Sequence, residues 1–164
     1  MVVWFYMMFD EGVNYTILAN NADKVFMSKL GSFPIIEGDF SYEKLKEKLE
    51  MFPNKRLIFK NSLYGLKKEE KKDIINLLAK QNINFVNVTC DVEESILSDY
   101  IVVYDEDKKV LEGNMESVLR NEKVLKKLGF GVPFVVDLSI QLNYYDVLKR
   151  VYFDLDELVG VLWN

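Results

Sequence analysis

INFVNVTCDVEESILSDYIVVYDEDKKVLEG, residues 83–113, decides the fold. Ile83, Phe85, Val86 and Val88 form a hydrophobic run that stops at Thr89. A short apolar run rich in β-formers reads as a buried strand. Cys90, the chain's lone cysteine, follows, and then the acids Asp91, Glu93 and Glu94. VEESILS reads as a short helix, because acids near a helix start favour the positive end of its dipole. DYIVVYDEDKKVLEG reads as a hairpin with a polar turn at Asp105–Lys108. A strand that ends in a reactive residue type delivers it to a site, so Cys90 is a candidate nucleophile, metal ligand or replacement for another residue. A reactive thiolate needs a neighbouring cation, and the local sequence offers acids. The plain reading of Cys90 is a small, half-buried residue at a strand end.

Upstream, KRLIFKN (55–61) is a second buried-type strand, and LKKEEKKDIINLLAKQ (66–81) is a helix with Ile74, Leu77 and Leu78 facing inward. A strand, helix and strand in this order favour a parallel pair joined right-handedly. Lys67–Lys72, with Glu69 and Glu70 between, is a solvated face of mixed charge. SYEKLKEKLEMF is an amphipathic helix, with Ser41 at its N-cap and Leu45, Leu49 and Phe52 as its stripe. Nearer the start, residues 2–9 and 15–18 read as strands, and a short helix follows within NNADKVFMSKLG (20–31), with Gly31 as its stop. Downstream of the hairpin, three helices are expected in NMESVLRNEKVLKKLG, PFVVDLSIQLNYYDVLKR and DLDELVGVLW. The boundary falls at Gly129–Pro133, which divides the chain into an α/β part, residues 1–129, and a helical extension, residues 130–164.

The totals exclude several classes. The chain has 164 residues, 49% of them hydrophobic and 13% aromatic, enough for a packed core. A net charge of -5, from 21 basic and 26 acidic residues, argues against a nucleic-acid binder. One cysteine and no histidine leave no internal disulfide, no ordinary zinc site and no histidine base for a catalytic triad. The apolar start, MVVWFYMMF, is far below the roughly 20 residues of a membrane helix, so a cytoplasmic protein without direct membrane insertion is expected.

The order strand, NSLYGLKKEEKKDIINLLAK, strand, VTCDVEESILSDYIVVYDEDKKVLEGNMESVL resembles the second half of an ABC-type ATPase. The tail NEKVLKKLGFGVPFVVDLSIQL, closed by FDLDELVGVL, is similar to the C-terminal extension of energy-coupling factor transporter ATPases of the cobalt, nickel and vitamin uptake kind. The resemblance covers roughly residues 55–163. It implies a truncated P-loop-NTPase-like parallel core with an edge hairpin and a helical C-terminal extension.

The departures from the family fall on its chemical positions. Lys60 stands where the resemblance places the magnesium-binding Asp, Asn61 where it places the catalytic Glu, Lys67 where a later Asp belongs, and Cys90 where the family has His. Phosphoryl transfer depends on such positioned charges, and a cation with an amide does not coordinate Mg²⁺. In the candidate P-loop, TILANNADKVFM, Lys24 is kept. Leu18 and Asp23 sit where glycines belong, and Val25 replaces the hydroxyl. The signature motif keeps only Ser41, and the segment between Lys24 and Lys60 is several times shorter than in a full cassette.

These departures lead to the expectation of a non-catalytic ABC-ATPase-like protein with no cofactor and no bound metal. It would act by association, as a structural or regulatory subunit of an energy-coupling factor type transporter, peripheral to the membrane. The resemblance implies a homodimer, or a heterodimer with an active ABC-type ATPase, through the tail. Tyr144, Tyr145, Tyr152, Phe153 and Trp163 are the candidate interface, since aromatics dominate interface energetics. A second reading is a degraded nucleotide sensor that binds ATP without hydrolysing it, with Lys24 its one support. A third is an unrelated α/β interaction domain.

Overall fold

The computed structural model describes residues 9–20, 30 and 33–163. A six-stranded sheet organises it, formed by β1 (Tyr15–Ala19), β2 (Ile35–Glu37), β3 (Arg56–Lys60), β4 (Asn84–Thr89), β5 (Tyr100–Asp105) and β6 (Lys108–Asn114). The strand order is β2-β3-β4-β1-β5-β6. All neighbours are parallel except the β5–β6 hairpin, which is antiparallel and closes one edge. β1 is buried along its whole length between β4 and β5. A parallel strand covered on both faces is mostly apolar, hence the YTILA, RLIFK and FVNVT runs, in which Thr16 and Asn87 are buried polar exceptions.

Alternate residues along each strand enter opposite layers. On one face, Tyr15, Ile17, Ile58, Val86, Val88 and Val102 share a cluster with Leu30. On the other, Leu57, Phe59 and Phe85 pack with α1 (Tyr42–Glu50) through Leu45 and Leu49, and with α2 (Lys68–Lys80) through Ile74 and Leu78. Each wholly buried Leu, Ile or Phe of this kind contributes roughly 1.5–3 kcal/mol. The expected helices over 41–52 and 66–81 are therefore present, as are the two central strands and the hairpin with Glu106 and Asp107 at its tip.

The structure corrects the helical boundaries downstream. The stretch expected as one helix after the hairpin is two, α3 (Met115–Leu119) and α4 (Glu122–Lys127). Asn121 ends the first, because its Nδ2 donates to the Ser117 carbonyl at 2.8 Å and competes with the helical ladder. The helix expected over PFVVDLSIQLNYYDVLKR is α5 (Phe134–Tyr144) only. Asp146 adopts φ 58° there, the left-handed conformation that Asp tolerates at a helix end. The Val147 amide then donates back to the Leu142 carbonyl at 2.9 Å. The last helix, α6 (Leu155–Leu162), is capped by Asp154, whose Oδ1 accepts from the Asp156 and Glu157 amides at 2.9 and 3.0 Å.

The glycines at the expected boundary make a turn, Gly129 at φ 84° and Gly131 at φ 72°. Phe130 between them is buried in one cluster with Leu18, Ile101 and Val103 of the sheet and Val136, Leu148 and Leu158 of the tail. β2 had no counterpart in the sequence reading, because three residues are too short to show a period. The expected strand over residues 2–9 lies outside the described residues but for Phe9, and the helix expected within NNADKVFMSKLG lies outside them but for Asn20 and Leu30.

Candidate functional site

Parallel α/β sheets present their sites at the carboxyl ends of the strands. At that edge Lys60 ends β3 and Glu37 ends β2, opposite each other in register. Both residues point their heads together, and Lys60 Nζ lies 2.6 Å from Glu37 Oε1. Lys60 is nearly buried, whereas the Glu37 side chain is mostly exposed. The position that the resemblance gives to the magnesium acid therefore carries an ammonium already joined to a carboxylate.

Asn61 follows with φ 54°, a conformation that asparagine tolerates better than most residues. Its amide donates to the Val88 carbonyl at 3.1 Å, which ties the end of β3 to β4. Ser62 is buried and donates to the Ile36 carbonyl of β2. The chain then turns through Leu63–Leu66 into α2. Lys67 is the N-cap of α2 with its side chain in solvent, and its amide donates to Glu70 Oε2 at 2.8 Å. That contact is half of a capping box, since a lysine has no acceptor to return.

Cys90 comes directly after β4 and is exposed, which corrects the half-buried position expected for it. The strand ends one residue earlier, and the thiol projects past the last covered position, Thr89. The acids behind it are all engaged. Asp91 Oδ1 accepts from the Glu93 amide at 2.9 Å and opens a 3-10 helix, Val92–Leu97. Glu94 is completely buried. One of its oxygens meets Lys71 Nζ at 2.7 Å, and the other accepts from Asn87 Nδ2 at 2.9 Å. Lys71 also lies 3.6 Å from Asp91 Oδ2.

The sheet thus gathers Lys60, Asn61 and Cys90 at one edge, on adjacent strands β3 and β4. Ser41 begins α1 with its side chain making no cap bond, although its carbonyl receives the Leu45 amide at 3.0 Å. It is thereby a helix-start residue. Leu18, which the resemblance sets at a phosphate-loop glycine, is wholly buried in β1 and belongs to the core. Lys24, Asp23 and Val25 lie outside the described residues. Among the described residues, no three His, Cys, Asp or Glu side chains converge as a metal cluster. At this edge Glu37 is engaged by Lys60, so the described groups offer an anion little and a divalent cation less.

The tail divides the five aromatic candidates. Tyr144 and Tyr145 are exposed and meet edge to face, with ring centroids 5.3 Å apart. Trp163 is 81% exposed at the end of α6. Phe153 is half-buried under the Arg120 guanidinium, 5.4 Å from its ring centroid. Tyr152 departs from the expectation, because it is buried in the sheet–tail cluster and presents no interface surface. Its amide donates to the buried Ser139 Oγ at 2.7 Å, and Arg150 covers the ring at 4.6 Å.

Three sets of partners escaped the sequence: Glu37 on Lys60, Lys71 and Asn87 on Glu94, and Glu93 on the Phe134 amide at 2.6 Å. None leaves a local signal, since each joins residues that only strand register or helix docking brings together. In the sequence Lys71 reads as one charge of a solvated mixed face, and Glu94 as an acid at a helix start.

An α/β protein with a parallel core, an edge hairpin and a helical C-terminal extension, of ABC-ATPase-like pattern, is the class that this arrangement defines. Sequence comparison points the same way. The chain is 37% identical to the energy-coupling factor transporter ATP-binding protein EcfA1 of Clostridioides difficile over 73 residues, 44% of this chain and 26% of that protein. It is 30% identical to EcfA1 of Lactobacillus delbrueckii subsp. bulgaricus over 113 residues, 66% of this chain and 40% of that protein. The solved structure of cbiO1 from Clostridium perfringens, described as part of an ABC transporter complex, aligns with a TM-score of 0.49 at 15% identity, covering 73% of this chain and 84% of that one. No family model matches. The chain is thus similar to ATP-binding subunits of energy-coupling factor transporters, and it spans 26% to 40% of the length of these two curated relatives. No helix among the described residues is long and apolar enough to cross a membrane.

Proposed function

We propose that this chain works by association and not by turnover, as a non-catalytic ABC-ATPase-like protein linked to a transporter of the energy-coupling factor kind. The observation that carries the reading is the Lys60–Glu37 pair at 2.6 Å. Hydrolysis of Mg-ATP needs a carboxylate free to position the metal and a second group to orient water. The edge instead offers an ammonium, an asparagine in the left-handed region and an exposed thiol. The pairing surface would be the exposed Tyr144–Tyr145 face with Trp163, meeting a second copy or the tail of an active ABC-type ATPase. The relatives' names, which place ATP-binding proteins in transporters, support a position peripheral to a membrane complex.

Phosphate release from Mg-ATP tests the first part. No release above a protein-free blank is expected, and magnesium-dependent turnover would sink the reading. A melting temperature that stays flat across millimolar ATP, with and without magnesium, is expected as well. A rise in ATP alone would replace this reading with the nucleotide sensor. Sizing over a range of concentrations, alone and mixed with a full-length ABC-type ATPase of the energy-coupling kind, tests the partner.

A further inference from the structure

The acids after Cys90 divide although they lie within four residues of one another, Asp91 and Glu94 facing Lys71 and Glu93 facing α5. Asp91 closes the turn, and Glu94 anchors the 3-10 helix to α2 through Lys71 and to β4 through Asn87. Glu93 leaves this group altogether, and its Oε1 accepts from the Phe134 amide, the first of α5, at 2.6 Å. Val92, between them, is buried in the cluster that holds Phe130, Val135 and Val136. A second tie runs from α2 to α6, with Lys72 Nζ 3.5 Å from both Asp154 and Asp156.

We infer that Asp91–Glu94 is a strap that fastens the C-terminal helices to the carboxyl edge of β4, so that the edge bearing Asn61 and Cys90 and the helices bearing Tyr144, Tyr145 and Trp163 move as one body. The anchored side is stiff, because Glu94 is wholly buried with both oxygens engaged. The tail side is the exposed bond to a helix start beside the packing of Val92, and it is the weaker and adjustable end. A displacement of the β4 edge reaches the start of α5 through Glu93 together with the packing of Val92. A charge-assisted bond to an N-terminal amide is the kind of contact that orients a helix entry. This inference deepens the association reading, because it states what sets the orientation of the associating face.

The test uses the full chain with Glu93→Ala, a substitution at an exposed position that leaves the core untouched. Hydrogen exchange of the first-turn amides of α5 should speed up about fivefold, the scale of losing one cap, while β3 and β4 amides keep their rates. A nitroxide on Cys90, the lone and exposed cysteine, should become more mobile in the same variant. Glu93→Gln, which retains an acceptor oxygen, should recover most of the protection. Unchanged exchange in α5 overturns the strap, as does a nitroxide spectrum indifferent to the substitution. Exchange raised throughout the chain in both variants also overturns it, since Glu93 would then serve only general stability. If sizing finds a monomer at every concentration, the self-association reading fails while the exchange result stands on its own.

Discussion

Replacing Lys71 with methionine isolates the buried charge that holds the 3-10 helix. Methionine keeps the packing of the lysine stem and removes the ammonium that sits 2.7 Å from Glu94. Glu94 is 0% exposed, so its carboxylate would then face the interior with Asn87 Nδ2, at 2.9 Å, as its one described donor. Breaking a buried pair from one side costs about 3–5 kcal/mol. The low end, ~3 kcal/mol, applies because the Asn87 bond survives and the Lys71 side chain is 12% exposed. For a chain of this size about 1 kcal/mol moves the midpoint by 2–4 °C, so a loss of roughly 6–12 °C is expected. The double variant Lys71→Met with Glu94→Gln removes the stranded charge and should recover ~2 kcal/mol of the loss, a non-additivity that a double-mutant cycle reads directly. Urea unfolding followed by circular dichroism, with an unchanged m value, is the assay. A cost below ~1 kcal/mol, the range of exposed pairs, or additivity of the two substitutions, would refute the view that Glu94 is a buried charge dependent on Lys71.

Tyr144→Ser with Tyr145→Ser should weaken self-association in sizing experiments and leave the monomer within ~0.5 kcal/mol of its stability, as surface changes do. Tyr152→Ala should do the opposite and cost about 3 kcal/mol or more, because it opens a cavity in the sheet–tail cluster. Asp154 is held below the usual carboxylate range, first by the hydrogen bond from the Glu157 amide and further by Lys72 and the Asp156 amide, against the opposing effect of burial. Its folded value lies below its unfolded value of about 3.9. The cap therefore stabilises above that pH and is lost as pH falls through the folded value. Acid titration with exchange readout should find α6 loosening in that window, and Asp154→Ala should remove the effect at a cost of ~1 kcal/mol. Cys90 should react with a thiol reagent to one equivalent in the native protein, and a need for denaturant would contradict its exposure.

The Lys60–Glu37 pair shows how strand register supplies the counter-charge of a buried lysine. Lys60, at the end of a parallel strand, is a buried cation. The structure compensates that cation with a carboxylate from the neighbouring strand. A buried charge without a partner would destabilise the core, so Lys60 and Glu37 belong together. Tail deletion would be a poor test of association, because Val136, Leu148, Tyr152 and Leu158 complete the same core as Ile101 and Val103.

The long, strongly patterned elements were legible in the amino-acid order alone: the buried runs 57–59 and 85–88, the amphipathic helices over 42–50 and 68–80, and the hairpin after Asp99. Period and capping are local properties, and each of these segments carries enough repeats to show them. That Lys60, Asn61, Lys67 and Cys90 stand where the resemblance expects acids and a histidine is a comparison of residue types, which needs no fold to be made. Helix ends were not legible at Asn121 and Asp146, where a side-chain hydrogen bond and a left-handed residue override the apolar pattern. Tyr152 looked like its neighbours Tyr144 and Tyr145, and only docking of the tail decides which ring is covered. The partners of Lys60, Glu94 and Glu93 lie 23, 23 and 41 residues away. Such pairs are set by register and packing, which exist only once the sheet has formed and the helices have closed over it.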